Sequence, residues 1–171
     1  MKHVLAVIVE NKPGVLTRVA GLFSRRGFNI DSIAVGETEV PELSRMTILV
    51  EGDENTIEQV IKQLNKLVDV VKISNLTNES TVNRELALIK VKAEPHMRAE
   101  LTQLAETFRA KIVDVSLDSL IVEVTGDVEK LKAFELLLRH FGIQELARTG
   151  KISLMRGVKY IKMNGEGRKN G

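Results

Sequence analysis

Two stretches of this sequence follow one plan. VEGDENTIEQVIKQLNKLVDVVKI begins at Val50, and VTGDVEKLKAFELLLRHFGIQEL begins at Val124. Each gives an apolar strand end, then Gly-Asp, an amphipathic helix and a second apolar strand. Asp53 and Asp127 fall at the two helix starts, where a carboxylate accepts backbone N–H groups that no carbonyl reaches. The upstream halves correspond as well: LTRVAGLFSRRGFNIDSI matches LTQLAETFRAKIVDVSL in outline, and HVLAVIVE matches ELALIKVK. A duplicated unit restricts the fold more than any single motif does.

The pattern predicts strand, helix, strand, strand, helix, strand in each unit. In the first, these cover 3–10, 15–26, 29–37, 44–51, 54–66 and 68–76. In the second they cover 85–92, 97–109, 111–116, 119–125, 128–141 and 143–148. A βαββαβ unit closes into an antiparallel sheet with both helices on one face, so the expected class is α+β, with two tandem ferredoxin-like domains. TNESTVNRE is polar and aperiodic. The expected domains are therefore 1–78 and 84–158, with a linker at 79–83 and a basic flexible tail at 159–171. The middle strands of the second unit join through Leu117-Asp118, a tight hairpin, whereas those of the first are separated by GETEVPELSR. A unit of roughly 75 residues buries a smaller share of its surface than a larger domain. Its edge strands need a cover or a partner. NIDSIAV would be such an edge, and we expect a dimer through it.

Composition excludes several classes. No apolar run approaches the roughly 20 residues that cross a bilayer. The N-terminal apolar run is short and lacks the cleavage site of a signal peptide. The chain has no cysteine, so disulfides, thiolate catalysis and cysteine-held metals are out. A cytoplasmic location fits. His3, His96 and His140 stand far apart and form no ligand-spaced pair. Neither a phosphate-binding glycine loop nor a nucleophile elbow is present. We expect no catalytic residue and no metal site. RNA-binding sheets of this fold stack bases on strand aromatics. Aromatics make up only 4% of this sequence, and HVLAVIVE and RMTILVEG hold none, so nucleic acid is not an expected partner. The net charge of +2 does not argue for one either. The last residues are basic (Arg156, Lys159, Lys162, Arg168 and Lys169 against Glu166), which suits an acidic partner or simply a solvated tail.

One junction invites a ligand. The first strand ends in Asn11-Lys12-Pro13-Gly14 just as a helix begins. Pro13 has no N–H and ends the ladder. Gly14 lets the backbone approach a ligand, and the amides near Gly14, Val15 and Leu16 could hold a carboxylate. Asn11 could accept from an ammonium group. A free amino acid would satisfy both ends. The alternative is a plain turn that caps the helix.

NKPGVL at 11–16, RGFNIDS at 26–32 and LSRMTI at 43–48 resemble the regulatory small subunit of acetolactate synthase (acetohydroxyacid synthase), whose first unit is an amino-acid-binding ACT domain. The resemblance covers nearly the whole chain. It implies a catalytic large subunit that carries thiamine diphosphate, Mg²⁺ and FAD, with no cofactor in this chain. It implies activation of that subunit and feedback inhibition, usually by valine, in branched-chain amino acid biosynthesis. It also implies a homodimer of ACT domains with the effector at the interface. Asn11 and Gly14 would reach the amino acid from one chain, and Asn29 and Ile30 from the other. Val15, Ile33 and Val35 would shape the side-chain pocket. The second unit reads AEPHM where the first reads NKPG, so we expect it to bind no amino acid and to serve assembly. Arg45 and the tail are candidate contacts to the catalytic subunit. Two rivals stand beside this reading: a freestanding amino-acid sensor acting on another enzyme, and an amino-acid-responsive transcription regulator without its DNA-reading part.

Overall fold

The computed structural model describes residues 1–163. The chain forms two compact units, one built from residues 1–82 together with the segment from Lys151 onward, the other from Asn83–Gly150.

In the first unit, β1 (Lys2–Glu10), α1 (Val15–Arg25), β2 (Ile30–Glu37), β3 (Leu43–Glu51), α2 (Glu54–Asn65) and β4 (Val70–Asn75) follow in the expected order. They make an antiparallel sheet ordered β2-β3-β1-β4. Helix α1 buries Val15, Val19 and Phe23, one residue per turn along a single stripe. It ends where Gly27, at φ 71°, adopts the left-handed conformation, and the Phe28 N–H returns to Phe23 O at 3.0 Å. Helix α2 buries Ile57, Val60 and Leu64, and Asp53 caps it through the Thr56 N–H at 2.8 Å. These stripes meet Leu5, Val7, Val9, Met46, Ile48 and Val50 on one face of the sheet.

The run Leu5–Val9 is buried at every position, not at alternate ones. A strand is apolar on both sides only when both faces of its sheet are covered. Here the second cover comes from the end of the chain: Ile161 packs with Ala6, Ile8 and Leu76, and Met155 and Met163 lie against them. Residues 151–163 thus pack with the first unit, although the strand at Ile152–Met155 pairs with the strand at Thr81–Lys92. Within the expected tail Ile161 is packed while Tyr160 is exposed; Glu166, Arg168 and Lys169 lie outside the described residues.

The second unit runs β5 (Thr81–Lys92), a 3₁₀ turn (Pro95–Met97), α3 (Arg98–Thr107), β6 (Lys111–Val115), β7 (Ser119–Gly126), α4 (Val128–Leu138) and β8 (Ile143–Arg148). Its strands lie in the order β6-β7-β5-β8. Asp127 caps α4 through the Lys130 N–H at 2.9 Å. Phe134, fully buried, stacks against Phe108 at 4.9 Å between ring centroids. The Leu117-Asp118 hairpin closes as expected, with the Ser116 N–H on Ser119 O at 2.9 Å. In β5, Ala87, Ile89 and Val91 are buried while Leu88 is 42% exposed, the alternation of a sheet with one open face.

Two elements differ from the sequence reading. Strand β5 starts at Thr81, inside the expected linker, and a further strand, β9 (Ile152–Met155), follows the second unit. Both arise from long-range pairing: β9 pairs with β5, and beside it the Arg156 N–H bonds Ser80 O at 2.8 Å and its Nε bonds Thr81 O at 3.2 Å. No local pattern in TNESTVNRE could announce a partner 75 residues away.

Candidate functional site

The junction between β1 and α1 is tied to its neighbours by hydrogen bonds. The Asn11 N–H donates to Glu42 O at 2.8 Å, and its Nδ2 donates to Pro41 O at 3.2 Å and to Glu37 Oε1 at 3.4 Å. Asn11 is thereby tied to the loop that joins β2 to β3. Lys12 Nζ pairs with Glu10 at 2.8 Å, and hydrogen bonding and attraction from that carboxylate raise the lysine pKa.

Gly14 is the N-cap of α1 at φ 84°, in the left-handed region that residues with a Cβ avoid. It supplies no capping side chain, and the first turn of α1 holds no acidic residue. The first bond of the helix runs from the Arg18 N–H to Gly14 O at 3.1 Å. The amides ahead of it, at Val15, Leu16 and Thr17, carry the partial positive charge of a helix start. Helices α2 and α4 spend theirs on Asp53 and Asp127. Arg18 adds a full positive charge at this point. A Cβ on Gly14 would meet its Nη1 at 3.0 Å, while Nε and Nη2 hold Asp69 at 2.7 and 2.6 Å. The sequence reading did not include Arg18; its position one turn after Gly14 was the available signal.

The remaining candidates differ in exposure and in the face they occupy. Val15 is 3% exposed, its side chain in the core of the first unit. Leu16 and Val35 are each 48% exposed, which leaves apolar surface at the helix start and along the edge strand. Ile30, Ile33 and Val35 lie opposite Val50, Ile48 and Met46, so they share the helix-bearing face, and Ile30 and Ile33 pack partly on its core. Asn29 is exposed, with Asp31 Oδ1 at 3.5 Å.

One chain does not bring the two polar ends together. Ile30 and His3 both lie opposite Val50, whereas Glu37 and Val9 both lie opposite Ser44. Asn29 and Ile30 therefore stand at the start of the sheet, and Asn11 and Gly14 at its far end, about 25 Å away at the usual rise per residue. β2 is an edge strand hydrogen-bonded to β3 alone, as NIDSIAV implied.

Elsewhere among the described residues, no group of three or more His, Asp or Glu side chains could hold a metal ion. No helix is long and apolar enough to cross a membrane. His3 is buried, its Nε2 on Gly52 O at 3.0 Å. Arg45 donates from Nη2 to Ser153 O at 2.7 Å, and burial of its guanidinium lowers its pKa.

A βαββαβ unit whose first helix starts on a left-handed glycine, beside an open edge strand, is an ACT-type module. Residues 5–72 match the family model described as an AHAS small subunit-like ACT domain, and residues 84–157 match that described as the small subunit of acetolactate synthase. The chain belongs to the acetolactate synthase small-subunit family. It is 63% identical to a probable acetolactate synthase small subunit of Archaeoglobus fulgidus, over 93% of this chain and 99% of that one. To the acetolactate synthase small subunit of Mycolicibacterium smegmatis it is 52% identical, over 93% of this chain and 94% of that one. The crystal structure of the acetolactate synthase small subunit from Thermotoga maritima superposes with a TM-score of 0.85 at 49% identity, covering 92% of this chain and 98% of that one.

Proposed function

We propose that this chain is the regulatory subunit of an acetolactate synthase: it raises the activity of the catalytic subunit and lowers it again when valine binds between two ACT units. The observation that carries the effector site is the division of its residues between opposite ends of one sheet. If β2 pairs antiparallel with β2 of a second copy, the partner's strand start comes beside this chain's strand end. Asn29 and Ile30 of one copy would then face Asn11 and Gly14 of the other. An amino acid in that gap would set its carboxylate on the Val15 and Leu16 amides and near Arg18, and its ammonium on the Asn11 carbonyl oxygen. The exposed apolar surface of Leu16 and Val35 is available to its side chain.

The second unit differs where it matters. Its equivalent strand exit presents Glu94, with Lys92 and His96 each at 3.6 Å, and a carboxylate there disfavours another carboxylate. We assign that unit to assembly. The thiamine diphosphate, Mg²⁺ and FAD of the reaction would be held by the catalytic partner. Binding across two chains favours one dimer arrangement, and a coupling of about 1–3 kcal/mol suffices for a useful fall in the partner's activity.

Calorimetric titration of the purified chain with valine, leucine, isoleucine and alanine tests the effector site. Saturable binding of a branched-chain amino acid, at one molecule per interface site, is expected. Absence of binding to the chain and to its complex with the catalytic subunit would refute it.

A further inference from the structure

Helices α1 and α2 of the first unit leave a groove of about 540 Å³ between them. Leu22, Arg25 and the C-cap residue Arg26 line it from α1, and Thr56, Gln59 and Gln63 line it from α2. Leu22 packs partly on the core of the unit and gives the groove its apolar surface. The charge of the lining is all of one sign: two guanidiniums, and no Asp or Glu.

Neither arginine has an ionic partner among the described residues. Arg18, Arg139 and Arg148 each meet a carboxylate, at 2.6, 2.8 and 2.6 Å. Arg25 instead donates from Nε to Gly21 O of its own helix at 3.3 Å, and Arg26 from Nη1 to the neutral Gln59 Oε1 across the groove at 3.4 Å. A basic last turn favours the helix dipole, but the fold does not require one here. The second unit packs α3 and α4 over its own sheet with no basic residue in either last turn, and the groove between them holds Glu100 and no arginine. The β2 pairing proposed above extends the first sheet in its own plane, whereas this groove lies in the helix layer, so a dimer of that kind leaves it open.

We propose that the α1–α2 groove is a docking surface for an acidic segment of the catalytic subunit, which sets a carboxylate against Arg25 and Arg26 and an apolar side chain on Leu22. The proposal rests on the regulatory reading above. Guanidinium groups take a carboxylate through paired N–H bonds, and the Gln59 and Gln63 amides offer both donors and acceptors to the backbone of an extended segment.

The test is association of the full-length chain with the acetolactate synthase catalytic subunit, followed by surface plasmon resonance at rising salt. Arg25→Glu with Arg26→Glu reverses the charge of the groove. Gln59→Glu supplies from within the chain the carboxylate that Arg26 lacks. Lys62→Glu with Lys66→Glu is the control: it makes the same charge change at two exposed positions of the same unit that do not line the groove. The arginine variant is expected to bind at least about tenfold more weakly and Gln59→Glu about three- to tenfold more weakly, with the control close to wild type. Added salt should weaken the wild type more than the arginine variant. Valine titration of each chain should give the wild-type affinity, which separates this groove from the effector site. Equal association of wild type and both groove variants would overturn the proposal, as would an equal loss in the lysine control. Should the arginine variant unfold, Gln59→Glu against the lysine control decides by the same criterion. A wild-type chain that does not associate with the catalytic subunit would refute the regulatory reading and the docking surface together, whereas association indifferent to the groove variants refutes the docking surface alone.

Discussion

Replacing Gly14 by Asp puts the site's chemistry to a quantitative test. The backbone there sits at φ 84°, and a side chain in the left-handed region costs about 1–2 kcal/mol. The added Cβ meets Arg18 Nη1 at 3.0 Å, the tip of a side chain whose other nitrogens hold Asp69, so a small shift relieves the contact. Stability should therefore drop by about 1–2 kcal/mol, which lowers Tm by several degrees and leaves the chain folded. Effector binding should suffer far more. The new carboxylate lands beside Arg18 and the open amides of α1, where the amino acid's own carboxylate would sit. Loss of a charge-assisted hydrogen bond is worth about 1.5–3 kcal/mol, or about 10- to 150-fold in affinity, before repulsion is counted. Gly14→Ala is the control, with the same backbone strain and no charge. Calorimetry with valine beside thermal unfolding separates the two effects. Gly14→Asp that stays folded and binds valine as tightly as wild type would remove Gly14 from the site; equal losses in the Asp and Ala variants would assign the effect to strain alone.

Asn29 is exposed and has a single long contact to Asp31, so Asn29→Ala should change stability by less than about 0.5 kcal/mol while weakening valine binding by about tenfold. Unchanged affinity in that variant would contradict the cross-chain site. Hydrogen bonds from Thr56 hold the Asp53 carboxyl below its ordinary value of 3.8. Its stabilising contribution is thus complete above that value and is lost as pH falls through the lowered folded pKa. Acid unfolding curves of wild type and Asp53→Asn should converge at low pH and separate above it; parallel curves would exclude a contribution from the ionised carboxylate. Phe134 is fully buried in the second unit, and Phe134→Ala should cost about 3–5 kcal/mol in denaturant unfolding.

Much of this fold was legible because the duplicated units obey local rules. Asp53 and Asp127 stand where the sequence places caps, and the helix stripes of Val15, Val19 and Phe23 or Ile57, Val60 and Leu64 are the apolar periods themselves. The edge position of β2 followed from the βαββαβ order. What stayed hidden depends on distant partners. The unbroken burial of Leu5–Val9 was readable as a strand, but its second cover, Ile161, lies more than 150 residues away. Strand β9 and the start of β5 exist only through that return. Within the candidate site, the motif gave Asn11 and Gly14, whereas the inward turn of Val15 and the Arg18–Asp69 pair over Gly14 required the packed helix.

The central claim is that this chain regulates another subunit, and reconstitution tests it most directly. Acetolactate formation would be followed for the purified catalytic subunit alone, with this chain, and with this chain under increasing valine. The account predicts that activity rises on addition of the chain and falls again as valine saturates its site, with Gly14→Asp keeping the rise and losing the fall. Activity indifferent to this chain, with and without valine, would contradict it.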